Sequence, residues 1–495
     1  MGLLNDILIK FPLWSLRKVL RILFTASVGA LLVGIIGFVL YMNSLPSLAI
    51  WHTTILQNEF HADGDVKDFD AYVALEKRLF DELDREIYDE YRSSTNNSIN
   101  RYTRNSLSDP KRWEKAWNKS FELPVENPKM GILLLHGMSD SPYNLHAQAE
   151  YLHKKGIWVV AMRMPGHGTI PSGLREVKWQ DMAAVVKIGM ERLSQKVGEN
   201  PIHIMGYSTG APLALNYTLL ALEDPTLTMP SSLIFFSPAI AVTKVAPFAI
   251  WQSRLGHFLR LPKLEWNSIT PEYDPFKYGS FAVNAGDQVY LVCKEVQKQL
   301  DTYEENIQDK KPLPPMIGFA SMVDSTVVVK ETVEHLYKRF SKKNNHNTLV
   351  LFDINHNFSA HRLVKHHVDT ALQRLRETPK NSHYRFDLIT DLNSTDGSLM
   401  QITTGNGKKK TIKKLDLYWP KSLYSLSHLA MPISNNDPLY GDKNAPKSPG
   451  LTLGHMALYG ETSVLQMSGS SLLRQRWNPF HDYTKQRVLE FLELE

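Results

Sequence analysis

The 495-residue chain contains one cysteine, Cys293. A single thiol excludes an internal disulfide framework, a CxxC redox pair and a cysteine-built zinc site, so the fold rests on packing. Excess charge of one sign is equally scarce. Fifty-six Lys and Arg stand against 51 Asp and Glu, a formal charge of +5, and that field is too weak to make nucleic acid a partner. No internal repeat is found. Histidines at metal-ligating spacing are also missing, because His356, His361, His366 and His367 are five, five and one residues apart. Stacking two imidazoles on one helical face needs a step of four, so no metal is expected, and no other cofactor. What remains, 43% hydrophobic and 10% aromatic residues, can bury a core of one elaborated domain or two ordinary ones.

Charge is absent altogether from Ile22 to Met42, a run of 21 residues. At about 1.5 Å per residue such a helix crosses a hydrocarbon core of about 30 Å. Lys10, Arg17, Lys18 and Arg21 precede the run, whereas the first charge after it is Glu59. The positive-inside rule then keeps residues 1–21 cytoplasmic and makes 22–42 a single transmembrane anchor, with everything beyond on the non-cytoplasmic side, periplasmic or extracellular. Ser47-Leu48-Ala49 has the small-x-small form of a cleavage site, but the apolar run exceeds a signal peptide's, which favours an uncleaved anchor. Gly2 is followed by Asp6 where a myristoylation signal wants Ser or Thr.

Residues 50–128 are polar and charged, with one amphipathic helix marked by Tyr72, Leu75, Leu79, Leu83 and Ile87 at three- and four-residue steps. They read as a helical preface to a main domain over 129–495. In that domain, short apolar runs alternate with helical stretches: Ile132–Leu135, Trp158–Met162, Ile202–Met205, Leu233–Phe236, Met316–Phe319 and Leu349–Phe352. Near-continuous apolar strands separated by helices signal a mostly parallel sheet covered on both faces, an α/β architecture. Two parts break the rhythm. Residues 240–305, with several Pro and aromatics, read as an inserted lid, and about 380–470 as a second insertion. The basic cluster at Lys408–Lys410, Lys413 and Lys414 fits a solvated loop better than a lipid contact.

Ile202 to Leu215 reads as a strand, the pentapeptide Gly206-Tyr207-Ser208-Thr209-Gly210, and a helix start. A serine at such a strand-to-helix turn is held above the strand ends, and the flanking glycines are needed where a side chain would meet backbone. Ser208 is thus the candidate nucleophile. Upstream, Leu133-Leu134-Leu135-His136-Gly137-Met138-Ser139-Asp140 ends another strand. Acyl transfer needs backbone donors for the developing oxyanion, one from the residue after the nucleophile and one from a loop after an earlier strand. Thr209 N–H and Met138 N–H fit those roles, which leaves His136 as an organiser of its loop. Arg163-Met164-Pro165-Gly166-His167-Gly168 forms a tight turn between the two motifs.

In this order, HGMSDSP, RMPGHG followed by Pro171 and Leu174, and GYSTG resemble the monoglyceride lipase, lysophospholipase and carboxylesterase branch of the α/β-hydrolase superfamily. The resemblance spans about residues 130–240 and resumes at Met316. It implies the α/β-hydrolase fold, a serine hydrolase activity and the chain order Ser, acid, His. After the lid, Met316-Ile317-Gly318-Phe319-Ala320-Ser321-Met322-Val323-Asp324 offers Asp324 as the acid that orients an imidazole; its competing role is a helix cap.

The base is less decided. His428, with Ser427 before it and Leu429-Ala430-Met431 after it, matches the family's histidine loop and precedes a terminal helix expected from Asn478-Pro479 onward. It is placed first, with His356 as the alternative and His455 and His481 behind. The implied chemistry is hydrolysis of a carboxylic ester through an acyl-enzyme. An anchor plus a lid carrying Phe248, Trp251, Phe258 and Leu259 points to lipid or other acyl esters drawn from a membrane. A peptidase or amidase of the same superfamily, and a catalytically silent envelope scaffold, remain the alternatives. The oligomeric state is open.

Overall fold

In a computed structural model the described residues are 13–91, 99–241, 261–305, 311–324, 327–339, 346–356, 383–405, 409–420, 430–454, 456 and 475–494. The chain divides into two units, Met1–Leu48 and Ala49–Glu495. The first holds one helix, α1 (Leu13–Ser44). Its stretch Lys18–Ser44 is long and apolar enough to cross a membrane, and none of its residues is buried.

The second unit opens with a short turn of helix, α2 (Ile50–Thr53), and the amphipathic α3 (Phe69–Leu83). Asp68 caps α3 by accepting the Ala71 amide at 2.8 Å, as an Asp at that position should. The apolar stripe expected along this helix is buried: Tyr72, Leu75, Leu79, Leu83 and, just beyond, Ile87 are all less than 10% exposed.

The main sheet is then laid down by β1 (Phe121–Leu123), β2 (Met130–Leu135), α4 (His146–His153), β3 (Ile157–Met162), α5 (Gly173–Glu176), α6 (Trp179–Val197), β4 (Ile202–Tyr207), α7 (Gly210–Glu223) and β5 (Ser232–Phe236). A small hairpin pairs β6 (Trp266–Ser268) with β7 (Phe281–Ala282), and α8 (Val283–Glu305) leads back to β8 (Met316–Ser321). The chain continues through α9 (Val329–His335), β9 (Thr348–Asp353), β10 (Arg385–Thr390), β11 (Ser398–Gly405), β12 (Thr411–Tyr418) and α10 (Phe480–Phe491).

Ten strands form one sheet in the order β1-β3-β2-β4-β5-β8-β9-β10-β11-β12. From β3 to β10 every neighbouring pair is parallel. Antiparallel strands close both edges, β1 on one side and β11 with β12 on the other. Alternation along each strand sends side chains to opposite faces. Leu133, Leu135 and Ile204 join a core with α6, α7 and α8, whereas Ile132, Leu134 and Met205 join another with α4 and α10.

Three segments in the regions read as insertions or preface belong structurally to this sheet domain. The long helix α8 buries Val292, Val296 and Leu300 in the same core as α7. The residues ahead of it are tied to the preface, with Arg101 N–H on Glu272 O at 2.8 Å and Asn118 Nδ2 on Pro275 O at 2.9 Å. Strands β10, β11 and β12 extend the sheet. On the outer strand β12, Lys413 and Lys414 are exposed, a charge placement that discourages pairing with another chain's edge.

The preface also neutralises a buried cation. Arg163, 0% exposed, lies in the turn after β3; its Nε is 2.8 Å from Glu76 and its Nη2 2.9 Å from Glu59. Both carboxylates come from residues before the sheet begins. Burial pushes Glu76 up. At Glu59 the same burial is outweighed by Arg163 and by the amides of Phe60 and Gly166, which hold its carboxyl below the usual range. A buried guanidinium without such partners would be strongly destabilising.

Candidate active site

Ser208, Asp324, His356 and the loop of Met138 follow the carboxyl ends of parallel strands, the place where open α/β sheets bind ligands. Ser208 directly follows β4 with φ of +51°. For a serine that left-handed backbone is strained and persists only where its surroundings enforce it. They do so by hydrogen bonds: Ser208 N–H donates to Phe236 O at 2.9 Å, while Ser208 O accepts from Ala211 at 3.1 Å and Ala239 at 3.2 Å. Ser208 is half-buried between fully buried neighbours and stands immediately before α7, where helix amides and dipole favour developing negative charge.

Both glycines of the pentapeptide are sterically required. A Cβ on Gly206 would come within 2.6 Å of the Gly210 backbone, and one on Gly210 within 2.2 Å of Leu135 O. Because backbone atoms cannot step aside as a side-chain tip can, Gly210→Ala is expected to lower stability by about 3 kcal/mol or more. Urea denaturation of wild type and variant measures this directly.

The second donor loop follows β2. Gly137 O accepts the Asp140 amide at 3.2 Å and the His136 ring at 2.8 Å, and Ser139 takes φ of +66°. Among the described residues no acceptor takes the amide of Met138 or of Thr209.

His136 is an organiser and not a base. Its Nε2 accepts the Met164 amide at 3.0 Å, so the proton must reside on Nδ1, which donates to Gly137 O. Burial, with His167 beside it, drives its pKa well below the imidazole range, so the ring is neutral with both nitrogens engaged. From the segment before β7, Lys277 adds a further brace. Its ammonium pairs with Asp140 and donates to Ser139 Oγ at 3.1 Å, and Gln475 donates to Asp140 at 3.1 Å.

Asp324 lies three residues past β8 and is half-buried. Its Oδ1 accepts the Val327 amide at 2.9 Å, the capping role weighed for it, and its Oδ2 accepts from Ser237 Oγ at 3.1 Å. Ser237, at the end of β5, was not singled out by sequence reasoning. Its φ of +42° and the Ser-Pro step after an apolar strand were the available signals. It occupies the gap between Phe236 and Ala239, two of the residues bonded to the Ser208 backbone. One short segment thus connects the nucleophile's turn to the carboxylate.

Of the histidines, His356 lies three residues past β9, the strand beside β8. Its amide donates to Asp391 at 3.2 Å and its Nε2 is 3.2 Å from Asp353. His481 sits in the first turn of α10 with its Nδ1 3.2 Å from Pro432 O, and burial lowers its pKa. His428 and His455 lie outside the described residues, as do His361, His366, His367 and the lid residues Phe248, Trp251, Phe258 and Leu259.

A mostly parallel sheet clad on both faces, with a strained serine between a strand and its helix, is the α/β-hydrolase fold. Within that class, residues 126–349 match the family model Hydrolase_4, described as serine aminopeptidase, S33. A thermostable monoacylglycerol lipase of Bacillus sp. (strain H-257) is 33% identical over 91 residues, 18% of this chain and 36% of that protein. The chain thus matches about a third of the length of that curated relative. Among solved structures, a soluble variant of the Saccharomyces cerevisiae monoglyceride lipase aligns with 47% of this chain and 81% of its own, at 17% identity and a TM-score of 0.36. The Paleococcus ferrophilus monoacylglycerol lipase aligns with 47% and 87%, at 17% identity and a TM-score of 0.35.

Proposed function

We propose that this protein is a membrane-anchored serine hydrolase that cleaves carboxylic esters of lipid or other acyl substrates. The observation that carries the reading is Ser208 on its +51° turn between β4 and α7; among the described residues no acceptor takes the amide of Met138 or Thr209. Ser208 Oγ attacks the ester carbonyl carbon while a histidine takes its proton, and Asp324 stabilises the imidazolium. The amides of Met138 and Thr209 hold the oxyanion. Collapse of the tetrahedral intermediate breaks the bond to the alcohol, which leaves with the proton from the histidine. Water, deprotonated by the same base, then attacks the acyl-enzyme and releases the acid.

The lipid preference is supported by the likeness to a monoacylglycerol lipase and by α1, whose composition suits a membrane span. The basic residues before that span favour a hydrolase domain on the non-cytoplasmic side. An aminopeptidase reading is favoured by the description of the matching family model alone. The test is reaction of the detergent-solubilised full chain with a fluorophosphonate, mapped by peptide mass spectrometry, followed by a panel of monoacylglycerols, short acyl esters and aminoacyl amides. Modification at Ser208 with ester turnover is the expected result. Cleavage of the amides alone selects the peptidase, and no modification together with no turnover rejects hydrolysis.

A further inference from the structure

The oxyanion amide assigned to Met138 is the last member of a chain of hydrogen bonds that begins in the preface. Tyr72, on α3, donates its hydroxyl to Arg163 O at 2.8 Å. That carbonyl shares one planar peptide group with the Met164 N–H, which donates to His136 Nε2 at 3.0 Å. The opposite nitrogen, Nδ1, donates to Gly137 O at 2.8 Å. Gly137 O in turn shares its peptide group with the Met138 N–H. Hydroxyl, peptide, imidazole and peptide are therefore aligned donor to acceptor, ending on the Met138 amide, which no described residue accepts.

We propose that Tyr72 is a positioning residue for the oxyanion hole, acting through this relay to orient and polarise the Met138 amide. The proposal rests on the hydrolase reading above and deepens it. Several observations support it. Tyr72 and Arg163 are 0% exposed and His136 1%, so water does not compete for these bonds. In such surroundings bonds in series polarise one another. Burial raises the Tyr72 pKa well above the phenol range, which keeps the hydroxyl a donor. The ring is seated edge-on to Phe60 at 5.2 Å, and the Arg163 guanidinium, fixed by Glu59 and Glu76, sits over it. The preface is thus more than a linker between anchor and sheet, because its first long helix is linked to the Met138 loop through two side chains and two peptide groups.

Two variants of the full chain test this, Tyr72→Phe, which removes one oxygen and keeps the packing, and His136→Gln, which breaks the middle of the relay. Turnover is measured per active site, with sites titrated by fluorophosphonate so that unfolded molecules are not counted. Tyr72→Phe is expected to lower kcat about fivefold with KM within about twofold, since the oxyanion forms only in the transition state. His136→Gln is expected to lose more, and the double variant no more than His136→Gln alone, because members of one network are not additive. In proton NMR, the His136 Nδ1–H resonance, assigned by its loss in His136→Gln, is expected to shift in Tyr72→Phe. That reading does not depend on ester turnover. Unchanged kcat per site in Tyr72→Phe, independent losses in the double variant, or an unmoved resonance would each overturn the relay. An inactive wild type with a shifted resonance would instead remove the hydrolase reading, and with it the purpose assigned to Tyr72.

Discussion

Alanine in place of Ser208 is expected to cut turnover of a short acyl ester by about a millionfold, the scale of loss when a triad nucleophile is removed. The substitution deletes one oxygen at a half-buried position. The +51° backbone it leaves behind is held by Phe236 O and the amides of Ala211 and Ala239, none of which involves the hydroxyl. Folding should therefore survive, and the melting temperature of Ser208→Ala should lie within a few degrees of wild type. Residual catalysis above the uncatalysed rate is also expected, because the amides of Met138 and Thr209 still bind an oxyanion when water attacks directly. The measurement is ester hydrolysis by wild type and variant prepared in parallel, with fluorophosphonate modification as the second readout. Retention of even a tenth of the activity would assign the chemistry to another group.

Much of this arrangement was legible in the chain. The six apolar runs, from Ile132–Leu135 to Leu349–Phe352, all fall on strands of one sheet, because strands buried on both faces leave few polar positions to obscure them. The serine turn was legible for a different reason: two backbone approaches that admit only hydrogen atoms, at Gly206 and Gly210, leave a fixed glycine spacing. Strands β10, β11 and β12 were harder to see. Arg385–Thr390 carries Asp387 in its centre, and β12 is almost wholly exposed. Asp387 is buried by pairing with Arg385 and Arg487 and by a hydrogen bond from Thr403 at 2.6 Å. Those partners are up to 100 residues away in sequence, so no local pattern announces the strand. The link from Ser208 through Ser237 to Asp324 and the chain from Tyr72 to Met138 are likewise products of tertiary contact. Nothing in the spacing of Tyr72, Arg163, His136 and Gly137 relates them before the sheet is assembled.

The same long-range geometry bears on the base, where His356→Ala is expected to abolish ester turnover, with a loss of about ten-thousandfold or more, while His428→Ala retains activity within severalfold. The reasoning that puts His428 first takes the base to stand just before the terminal helix, beyond an insertion. Strands β10, β11 and β12 change the premise, because the residues after β9 continue the sheet, and α10 follows β12 and not the last strand of the parallel core. Ser208, Ser237 and Asp324 follow β4, β5 and β8, three consecutive strands of the sheet, and His356 follows the next one, β9. Ala430, two residues on from His428, is buried in the same core as Phe352 and Ile354. For His356 the reading requires the imidazole to turn from Asp353, now 3.2 Å away, toward Asp324, a rearrangement that unliganded sites commonly leave to substrate binding. Alanine at each position, assayed on one short ester with sites counted by fluorophosphonate, separates the two. Loss in His428→Ala with activity preserved in His356→Ala would move the base onto the loop after β12 and leave Ser208 and Asp324 in their roles.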